Sequence, residues 1–186
     1  MYKLYVFDRL EEISDDFVQK SLEVLPEERR RKAVRYKFQK DRKLSVVSGL
    51  LLAYALRINY KMNIPEIMHG EYGKPYFPQY HDIFFNISHC NKGCALVVSD
   101  RKIGVDIQDY GYFSWDIARH VCSENEMDIL RHSEEKDRLF TKFWAIKESY
   151  VKMTGEGIRD LKLIDSTAIN NYFYENQKYI ISVCHE

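Results

Sequence analysis

The sequence has no excess of charge of either sign. Its 186 residues include 28 lysines and arginines against 28 aspartates and glutamates, so the formal net charge at pH 7 is zero. A protein that holds nucleic acid or an acidic membrane through its overall field carries a surplus of basic residues. The balance therefore argues against both partners, and any site for an anion has to be built locally.

Long apolar runs and targeting signals are also missing. No stretch approaches the roughly 20 apolar residues that a membrane-spanning helix needs. The opening residues MYKLYVFDRLEEIS place acidic side chains where a secretory signal has a basic start and an apolar centre. We therefore expect a cytoplasmic protein without a membrane partner.

Cysteine is scarce and unsuitably spaced for structural roles. Cys90, Cys94, Cys122 and Cys184 form no CxxC pair, and disulfide frameworks belong mainly to smaller secreted chains. We predict four reduced thiols. His89, Cys90 and Cys94 lie close together in the sequence, but three ligands on a strand and a turn, with no second pair, make a poor zinc site.

The residues that are present suffice for a core. Hydrophobic residues make up 45% and aromatic residues 14% of the chain, which excludes a disordered or collagen-like protein. Apolar residues with a period of two predict strands, and those with a helical period predict helices. The predicted strands cover 2–7, 83–88, 94–99, 102–108, 162–166, 171–174 and 179–184, and the predicted helices cover 15–25, 26–59, 115–121, 124–132 and 135–154.

The order of these elements predicts an α+β fold. Residues 64–82 hold three of the four prolines and should form a loop with a fixed course. The three strands between 83 and 108 are separated by short turns, which predicts an antiparallel meander. The order is compatible with two similar halves that meet near residue 100, and we place the N-terminal half at 1–100 and the C-terminal half at 101–186.

The strand KIGVDIQ is a candidate for one side of a metal site. Its period of two places Asp106 and Gln108 on one face, opposite Ile103, Val105 and Ile107. The two polar side chains can therefore reach one common ion. Taken alone, however, the pattern fits an exposed polar face on a half-buried strand better than it fits a metal site.

The helix DRLFTKFWAIKESYVKM carries a second candidate pair, Glu148 and Lys152. A Glu to Lys pair at this spacing is common on solvated helix faces and contributes only about 0.2 to 0.5 kcal/mol. Here Trp144 and Val151 flank Glu148 with an apolar patch, so the carboxylate should be partly covered and better suited to acid and base chemistry. The predicted core stripe of this helix is Leu139, Phe143, Ile146, Tyr150 and Met153.

Further candidates are basic or lie at the ends of elements. Arginine and lysine residues crowd the start of the helix at 26–59, where positive charge gains nothing from the helix dipole; they are Arg29, Arg30, Arg31, Lys32 and Arg35. Phosphate binding by guanidinium groups and a merely solvated basic face both fit this cluster. Ser88 and His89 end a strand, and Lys74 lies in the tight turn Gly73-Lys74-Pro75.

Taken in order, the segments GKP, ISH, IGVDIQ and WAIKESYVK strongly resemble the surfactin-type family of 4'-phosphopantetheinyl transferases. The resemblance spans about residues 26–164 and includes PEERRRKAVRY with the following KDRK, which resembles the family's basic N-terminal segment. It implies two similar α/β halves related by a pseudo-twofold axis in one monomer, with coenzyme A between them. It also implies a Mg²⁺-dependent enzyme that moves phosphopantetheine from coenzyme A to a serine of an apo acyl or peptidyl carrier protein, releasing adenosine 3',5'-bisphosphate.

The resemblance implies roles for individual residues as well. Asp106 and Glu148 would be magnesium ligands, Glu148 would also accept the serine proton, and Lys152 would assist the transfer. Gln108 stands where the family commonly has a third acidic residue, and we expect this neutral candidate ligand to weaken ion binding without abolishing it. The coenzyme A contacts would come from Arg29, Lys32, Ser88 and His89 at the 3'-phosphate, Lys74 at the nucleotide and Lys147 at the phosphates.

Two functions of other classes compete with this prediction. A catalytically idle module that binds coenzyme A or a nucleotide is supported by Gln108, but the intact set of Asp106, Glu148 and Lys152 argues against it. A small nucleic-acid-binding protein that uses residues 29–43 would bind with a steep salt dependence, and the neutral composition disfavours it.

Overall fold

The computed structural model describes residues 1–157 and 160–186, and it confirms the predicted α+β class. Its strands are β1 (Tyr2–Phe7), β2 (Met68–His69), β3 (Pro75–Tyr76), β4 (Phe84–His89), β5 (Cys94–Ser99), β6 (Ile103–Asp109), β7 (Asn171–Glu175) and β8 (Tyr179–His185). Its α-helices are α1 (Asp15–Val24), α2 (Glu27–Val34), α3 (Gln39–Tyr60), α4 (Trp115–Val121), α5 (Glu124–His132) and α6 (Lys136–Thr154). Short 3₁₀ helices cover Leu10–Glu12, Leu161–Leu163 and Ser166–Ala168.

The first sheet is built from residues 2–99 and has the antiparallel order β1-β5-β4. Its central strand β5 is buried along its whole length. The apolar second half of α3 packs on this sheet, and Leu52, Leu56, Phe85 and Leu96 belong to the resulting core cluster. The predicted burial of that half of the helix is therefore confirmed.

The second sheet is built from residues 103–185 and has the antiparallel order β6-β8-β7. Helix α6 lies against β6 and β8, as α3 lies against the first sheet. One core cluster contains Val97 from the first sheet together with Val105 and Ile181 from the second. Apolar contacts therefore run continuously between the two sheets.

Two edge strands, β4 of the first sheet and β6 of the second, meet where the sheets approach each other. Side chains of β4 and of the turn that follows it bridge this junction. Asn86 Oδ1 accepts a hydrogen bond of 2.9 Å from Val105 N, and Asn91 Nδ2 donates one of 3.0 Å to Asp109 Oδ2. An edge strand presents polar main-chain groups that need hydrogen-bond partners, and here the Asn86 side chain is the partner of Val105 N.

The single helix predicted for 26–59 is wrong, because the chain breaks between α2 and α3. Phe38 has an extended backbone at the start of α3. Ala33 of α2 and Val46 of α3 share a core cluster, and the Arg42 guanidinium donates to Tyr36 O within the connection. The segment VRYKF contains neither proline nor glycine, so packing between the two helices, and not a local breaker, sets the break.

The predicted meander is confirmed for its first two strands, because β4 pairs antiparallel with β5, but it is wrong for the third, because β6 pairs with β8 and not with β5. The seven-residue register between β6 and β8 joins segments about 75 positions apart, which local spacing cannot reveal. The predicted loop at 64–82 contains the small antiparallel pair β2 and β3.

The strand predicted at 162–166 is replaced by the 3₁₀ helices Leu161–Leu163 and Ser166–Ala168. Asp160 and Asp165 each accept a hydrogen bond from the backbone N–H two residues ahead, at 3.0 Å in both cases. Such aspartate turns compete with extended backbone, and they explain the error.

The remaining predicted elements are confirmed to within a residue or two. The Ser14 side chain caps α1 by accepting from Phe17 N, and Ser123 with Glu126 forms the predicted capping box of α5. Gly155 ends α6 with a φ of 75°, a left-handed backbone that favours glycine. Across residues 1–157 and 160–186, the structure contains no helix with the length and apolar character needed to span a bilayer.

Candidate active site

Four polar side chains meet at the junction of β4, β6 and α6. Ser88 Oγ donates to Asp106 Oδ1 at 2.7 Å, and Lys152 Nζ lies 2.5 Å from the same oxygen and 3.1 Å from Ser88 Oγ. Glu148 Oε2 lies 3.8 Å from Lys152 Nζ. Asp106 is only 1% exposed. The structure thus brings together, across both sheets, four residues that the sequence places up to 64 positions apart.

Glycine at position 104 permits this meeting. A Cβ atom there would lie 2.0 Å from Ser149 O and 2.4 Å from Met153 N, both in the backbone of α6. Only a residue without a side chain lets strand β6 approach the helix so closely. Since Asp106 follows two residues later and Lys152 precedes Met153, the glycine sets the spacing between the two charged groups.

The Glu148 carboxylate is partly covered, as the flanking Val151 predicted, and its side chain is 13% exposed. Burial raises its pKa above the ordinary value, and the negative charge of Asp106 raises it further, while the Lys152 ammonium acts in the opposite direction. A carboxylate with a raised pKa accepts a proton more readily than an exposed one. The side chain is therefore suited to proton transfer.

Gln108 joins the same group through its amide. Its Nε2 donates to Asp106 Oδ2 at 2.9 Å, so both oxygens of Asp106 have partners. Within residues 1–157 and 160–186, no three His, Cys, Asp or Glu side chains come together as metal ligands. The site therefore offers two carboxylates, Asp106 and Glu148, with the carbonyl of Gln108 beside them.

This donor set fits magnesium. Mg²⁺ prefers oxygen ligands and is commonly held by one or two carboxylates together with substrate phosphates. Asp106 Oδ1 already accommodates a cation, the ammonium of Lys152, at 2.5 Å. Two carboxylates without a third are consistent with an ion that completes its shell with water and phosphate oxygens.

A cleft of about 410 Å³ opens beside the cluster. Glu148 and Lys152 line it from α6, Asn86 lines it from β4, and the turn at 72–75 forms the opposite wall. A neighbouring cavity of about 400 Å³ shares Lys74, Pro75 and Gly155 with it. The cleft is of the size that commonly holds a small-molecule ligand.

Lys74 joins the two walls of this cleft. Its Nζ donates to Met153 O at 2.7 Å and to Ile103 O at 3.4 Å, so the loop is tied to the end of α6 and to β6. Burial, together with the positive charge of Lys102, lowers the pKa of Lys74 to about 8. The residue lines the cleft, as a nucleotide contact would, and also has a structural role.

The basic segment contributes an incompletely paired cation. Arg29 is 8% exposed, and its Nε and Nη2 have no hydrogen-bond partner among the described residues. Burial lowers its pKa. A buried charge without full compensation is costly, and Glu28 and Tyr36 offset the burial of Arg29 only in part, so the arrangement suits an anionic ligand at this guanidinium.

Lys32 and His89 belong to the same electrostatic environment. Burial lowers the pKa of Lys32, and the charge of Arg29 lowers it further. The pKa of His89 is lowered first by burial and then by Lys152 and Lys32. Arg29, Lys32 and Lys152 therefore supply positive charge from α2 to the Ser88 and Asp106 cluster, whereas the lowered pKa favours the neutral form of His89.

Sequence reasoning missed Ser45 of α3 and considered Arg42 only as a member of the basic segment at 29–43. Ser45 Oγ and Arg42 Nε are buried and, like the Arg29 nitrogens, have no hydrogen-bond partner within the described part of the chain. Helices α2 and α3 pack against each other. A serine inside the otherwise apolar run LSVVSG was the available signal for Ser45, whereas its unsatisfied hydroxyl appears only in three dimensions.

Lys147 lies elsewhere than the resemblance implied. Its side chain is fully buried, pairs with Glu126 at 2.6 Å, and donates to Val121 O and Leu161 O at 2.7 and 2.9 Å. These contacts hold α4, α5 and the segment after α6 together. With no exposed surface, Lys147 does not reach a ligand in the cleft.

The side chains considered for zinc do not form a metal site in the described residues. Cys90 and Cys94 are buried free cysteines, and burial raises the pKa of each thiol to about 11. Protonated thiols are poor metal ligands.

Comparison with known proteins gives concordant matches over most of the chain. Residues 102–184 match the 4'-phosphopantetheinyl transferase superfamily model, and residues 12–101 match the N-terminal model of 4'-phosphopantetheinyl transferase. A 4'-phosphopantetheinyl transferase of Bacillus subtilis is 32% identical over 135 residues, which are 70% of this chain and 60% of the relative.

Two further relatives are similar at comparable levels. The 4'-phosphopantetheinyl transferase Sfp of Bacillus subtilis (strain 168) is 27% identical over 78% of this chain and 67% of its own length. The 4'-phosphopantetheinyl transferase gsp of Aneurinibacillus migulanus is 33% identical over 70% of this chain and 56% of its own length. The chain thus spans between about half and two-thirds of the length of these curated relatives.

Proposed function

Because the chain belongs to the 4'-phosphopantetheinyl transferase superfamily, we propose that it transfers the phosphopantetheine group of coenzyme A to a serine of an apo acyl or peptidyl carrier protein. Adenosine 3',5'-bisphosphate is the second product. The observation that carries this proposal is the cluster in which Asp106 contacts both Ser88 and Lys152, with Glu148 beside them at the cleft. An idle binding module would have no need for a covered carboxylate with a raised pKa next to an ammonium group.

The proposal includes magnesium, held by Asp106 and Glu148, with Gln108 as the third candidate ligand. When bound, the ion would polarise the β-phosphate and neutralise the charge that develops during transfer. Gln108 is a neutral ligand, so replacing it with a negatively charged glutamate should tighten magnesium binding. If Gln108→Glu binds Mg²⁺ no more tightly in calorimetry, position 108 does not ligate the metal.

The chain's own residues carry the proton and the leaving-group charge. Glu148 accepts the proton of the carrier serine, directly or through water, and its raised pKa suits this role. Lys152 then stabilises the phosphate of the departing adenosine 3',5'-bisphosphate. To do so, its ammonium exchanges the 2.5 Å contact with Asp106 for contacts with phosphate oxygens.

Arg29, Lys32, Ser88 and His89 remain our proposed contacts for the 3'-phosphate, with Lys74 beside the nucleotide. The unpaired nitrogens of Arg29 support this placement most directly, and we add Ser45 of α3 because its buried hydroxyl also lacks a partner among the described residues. We place the reaction in the cytoplasm, in a monomer whose two halves are residues 1–100 and 101–186; the four free cysteines fit a reducing compartment.

The test is to mix the protein with MgCl₂, coenzyme A and an apo carrier protein, and to weigh the carrier by mass spectrometry. We expect the carrier to gain one phosphopantetheine group, and Glu148→Gln to abolish the gain while still binding coenzyme A. Binding of coenzyme A without any mass gain, across several acyl and peptidyl carriers, would show that the chain is a binding module and not an enzyme.

A further inference from the structure

A second cavity borders the cleft without containing its reactive groups. Its volume is about 400 Å³, and Lys74, Pro75 and Gly155 line both spaces. Glu148 and Lys152 line the cleft and are not among the described residues around the second cavity. The wall of that cavity is mainly apolar and aromatic, and is formed by Tyr76, Phe77, Tyr80, Ile83, Phe84 and Phe85. The proposed transfer reaction uses none of these apolar side chains.

The floor of this cavity is a fixed apolar surface. Phe77 and Phe85 stack with their ring centroids 4.5 Å apart, and both are buried with Ile83 in the core cluster that α3 forms on the first sheet. Tyr76 and Tyr80 line the cavity as exposed side chains. A concave apolar space of this size commonly holds a small molecule, and burial of apolar surface against such a floor is favourable. The occupant should therefore carry an apolar tail.

The charged groups at the cavity are positive. Lys74 and Lys102 line it, and no aspartate or glutamate does so among the described residues. The hydrogen bonds of Lys74 Nζ go to main-chain carbonyls, those of Met153 and Ile103, and not to a carboxylate. Burial and then the charge of Lys102 lower the pKa of Lys74 to about 8. A bound anion would relieve the repulsion between the two lysines.

The existing partner of Lys102 leaves room for such an anion. Its Nζ lies 3.0 Å from Glu186 Oε1, but the two side chains are 53% and 58% exposed. An ion pair so open to water contributes little. The cavity thus combines an apolar floor with two ammonium groups whose charge is only partly compensated.

We propose that the second cavity is a binding site for a small carboxylate with an apolar tail. The tail would lie against Phe77 and Phe85, and the carboxylate would lie between the ammonium groups of Lys74 and Lys102. Because Glu186 already engages Lys102, a singly charged head group matches the remaining positive charge better than a phosphate group, which carries about −1.5 to −2 at pH 7. The inference does not rest on the proposed function.

Calorimetry with octanoate and 3-phenylpropanoate tests the class of ligand and distinguishes a straight-chain tail from an aromatic one. We expect at least one of them to bind saturably. The amide of the tighter binder should bind about tenfold more weakly, because it lacks the charge that strengthens hydrogen bonds from the two lysines. If neither carboxylate binds, or if the amide binds equally well, the proposal is wrong.

Two variants that change only the second cavity locate the binding. Gly70→Phe adds a ring at its wall, where a Cβ atom would meet only Lys74 O at an ordinary 3.7 Å; the ring should take the space of the tail and abolish detectable binding. Lys102→Met removes one ammonium group and should weaken binding about threefold, as exposed ion pairs predict. The matched controls Gly111→Phe and Lys162→Met change positions that do not line the cavity, and they should bind like the wild type.

Urea unfolding first establishes that each variant is folded. If Gly70→Phe proves unstable, Lys102→Met still decides, because it changes an exposed side chain. Wild-type affinity in Lys102→Met and in a folded Gly70→Phe would place the binding elsewhere and overturn the proposal. A failure to modify any carrier protein would count against the transferase function and would leave these titrations unaffected.

Discussion

Replacing Gly104 with alanine tests the arrangement that brings the two carboxylates and Lys152 together. The added Cβ would lie 2.0 Å from Ser149 O, whereas a carbon and a carbonyl oxygen in contact are separated by about 3.3 Å or more. Strand β6 and helix α6 would therefore have to separate by roughly 1.3 Å. Both atoms involved on the helix side belong to the backbone, so no side-chain rotation can relieve the clash.

The expected cost is at the upper end for overpacking a core. Inserting a methyl group into a packed interior costs about 1 to 3 kcal/mol and occasionally more, and we expect about 3 kcal/mol for Gly104→Ala. A displacement near 1 Å at a reacting centre can reduce the rate about 100-fold. Since Asp106 and Lys152 flank the clash, the variant that still folds should transfer phosphopantetheine about 100 times more slowly.

Urea unfolding followed by the fluorescence of Trp115 and Trp144 measures the first quantity, and the rate of carrier mass gain measures the second. The matched control is Gly111→Ala, because a Cβ at Gly111 meets nothing within 4 Å. It should match the wild type in both assays. A Gly104→Ala protein with wild-type stability and rate would refute the view that this glycine sets the spacing of the site.

Three more predictions follow from single side chains. The pKa of Lys74 should be about 8, measured by NMR of ¹³C-dimethylated protein, and Lys102→Ala should raise it because the change removes a like charge. A wild-type pKa above 10 would contradict the burial assigned to Lys74. Lys147→Met leaves the buried carboxylate of Glu126 without its ion-pair partner and should lower the free energy of unfolding in urea by about 3 to 5 kcal/mol. The control Lys162→Met changes an exposed lysine and should leave that free energy unchanged. Ser45→Ala removes a buried hydroxyl without a partner in the described residues, so the free protein should be at least as stable in urea as the wild type. Its affinity for coenzyme A, measured by calorimetry, should fall roughly tenfold, as the loss of a hydrogen bond to a charged group predicts. Unchanged affinity would exclude Ser45 from the site.

Periodicity predicted the elements that carry the site. The strand of Asp106 and the helix of Glu148 and Lys152 lie within a residue or two of their predicted bounds. Their apolar faces are long and regular enough to be recognised locally. The capping box of Ser123 and Glu126 was predictable for the same reason, since all its atoms come from four consecutive residues.

Burial around α6 was harder to predict. The expected core stripe included Tyr150 and Met153, which are only partly buried, while Ala145 and Ser149 are fully buried. The helix packs on the second sheet, contacts α5 and shares a core cluster with Ala118 and Val121 of α4, so more than one face is covered. A single apolar stripe describes a helix with one buried face, and it fails for a helix packed on two.

Lys147 shows the limit of arguing by motif. Its position next to Glu148 suggested a place near the phosphates, yet the next side chain along a helix points about 100° away. That rotation carries Lys147 into the interior, where Glu126 neutralises it. Which of two adjacent charged residues faces a ligand depends on what packs around the helix, and this information is distributed over α4, α5 and the segment at 161–168.

The pairing of Lys152 changes the interpretation of the neutral composition. Helical spacing offered Glu148 as its partner, but the Lys152 ammonium is 3.8 Å from Glu148 and 2.5 Å from Asp106 on another strand. A contacting carboxylate thereby compensates Lys152, whereas Nε and Nη2 of the buried Arg29 have no hydrogen-bond partner in the described part of the chain, and burial lowers its pKa despite Glu28. The proposed phosphate contact at Arg29 therefore requires no surplus of basic residues in the chain as a whole. A buried charge is screened by salt much less than surface charges are, so a chain with no net charge can still hold a phosphate firmly at one place.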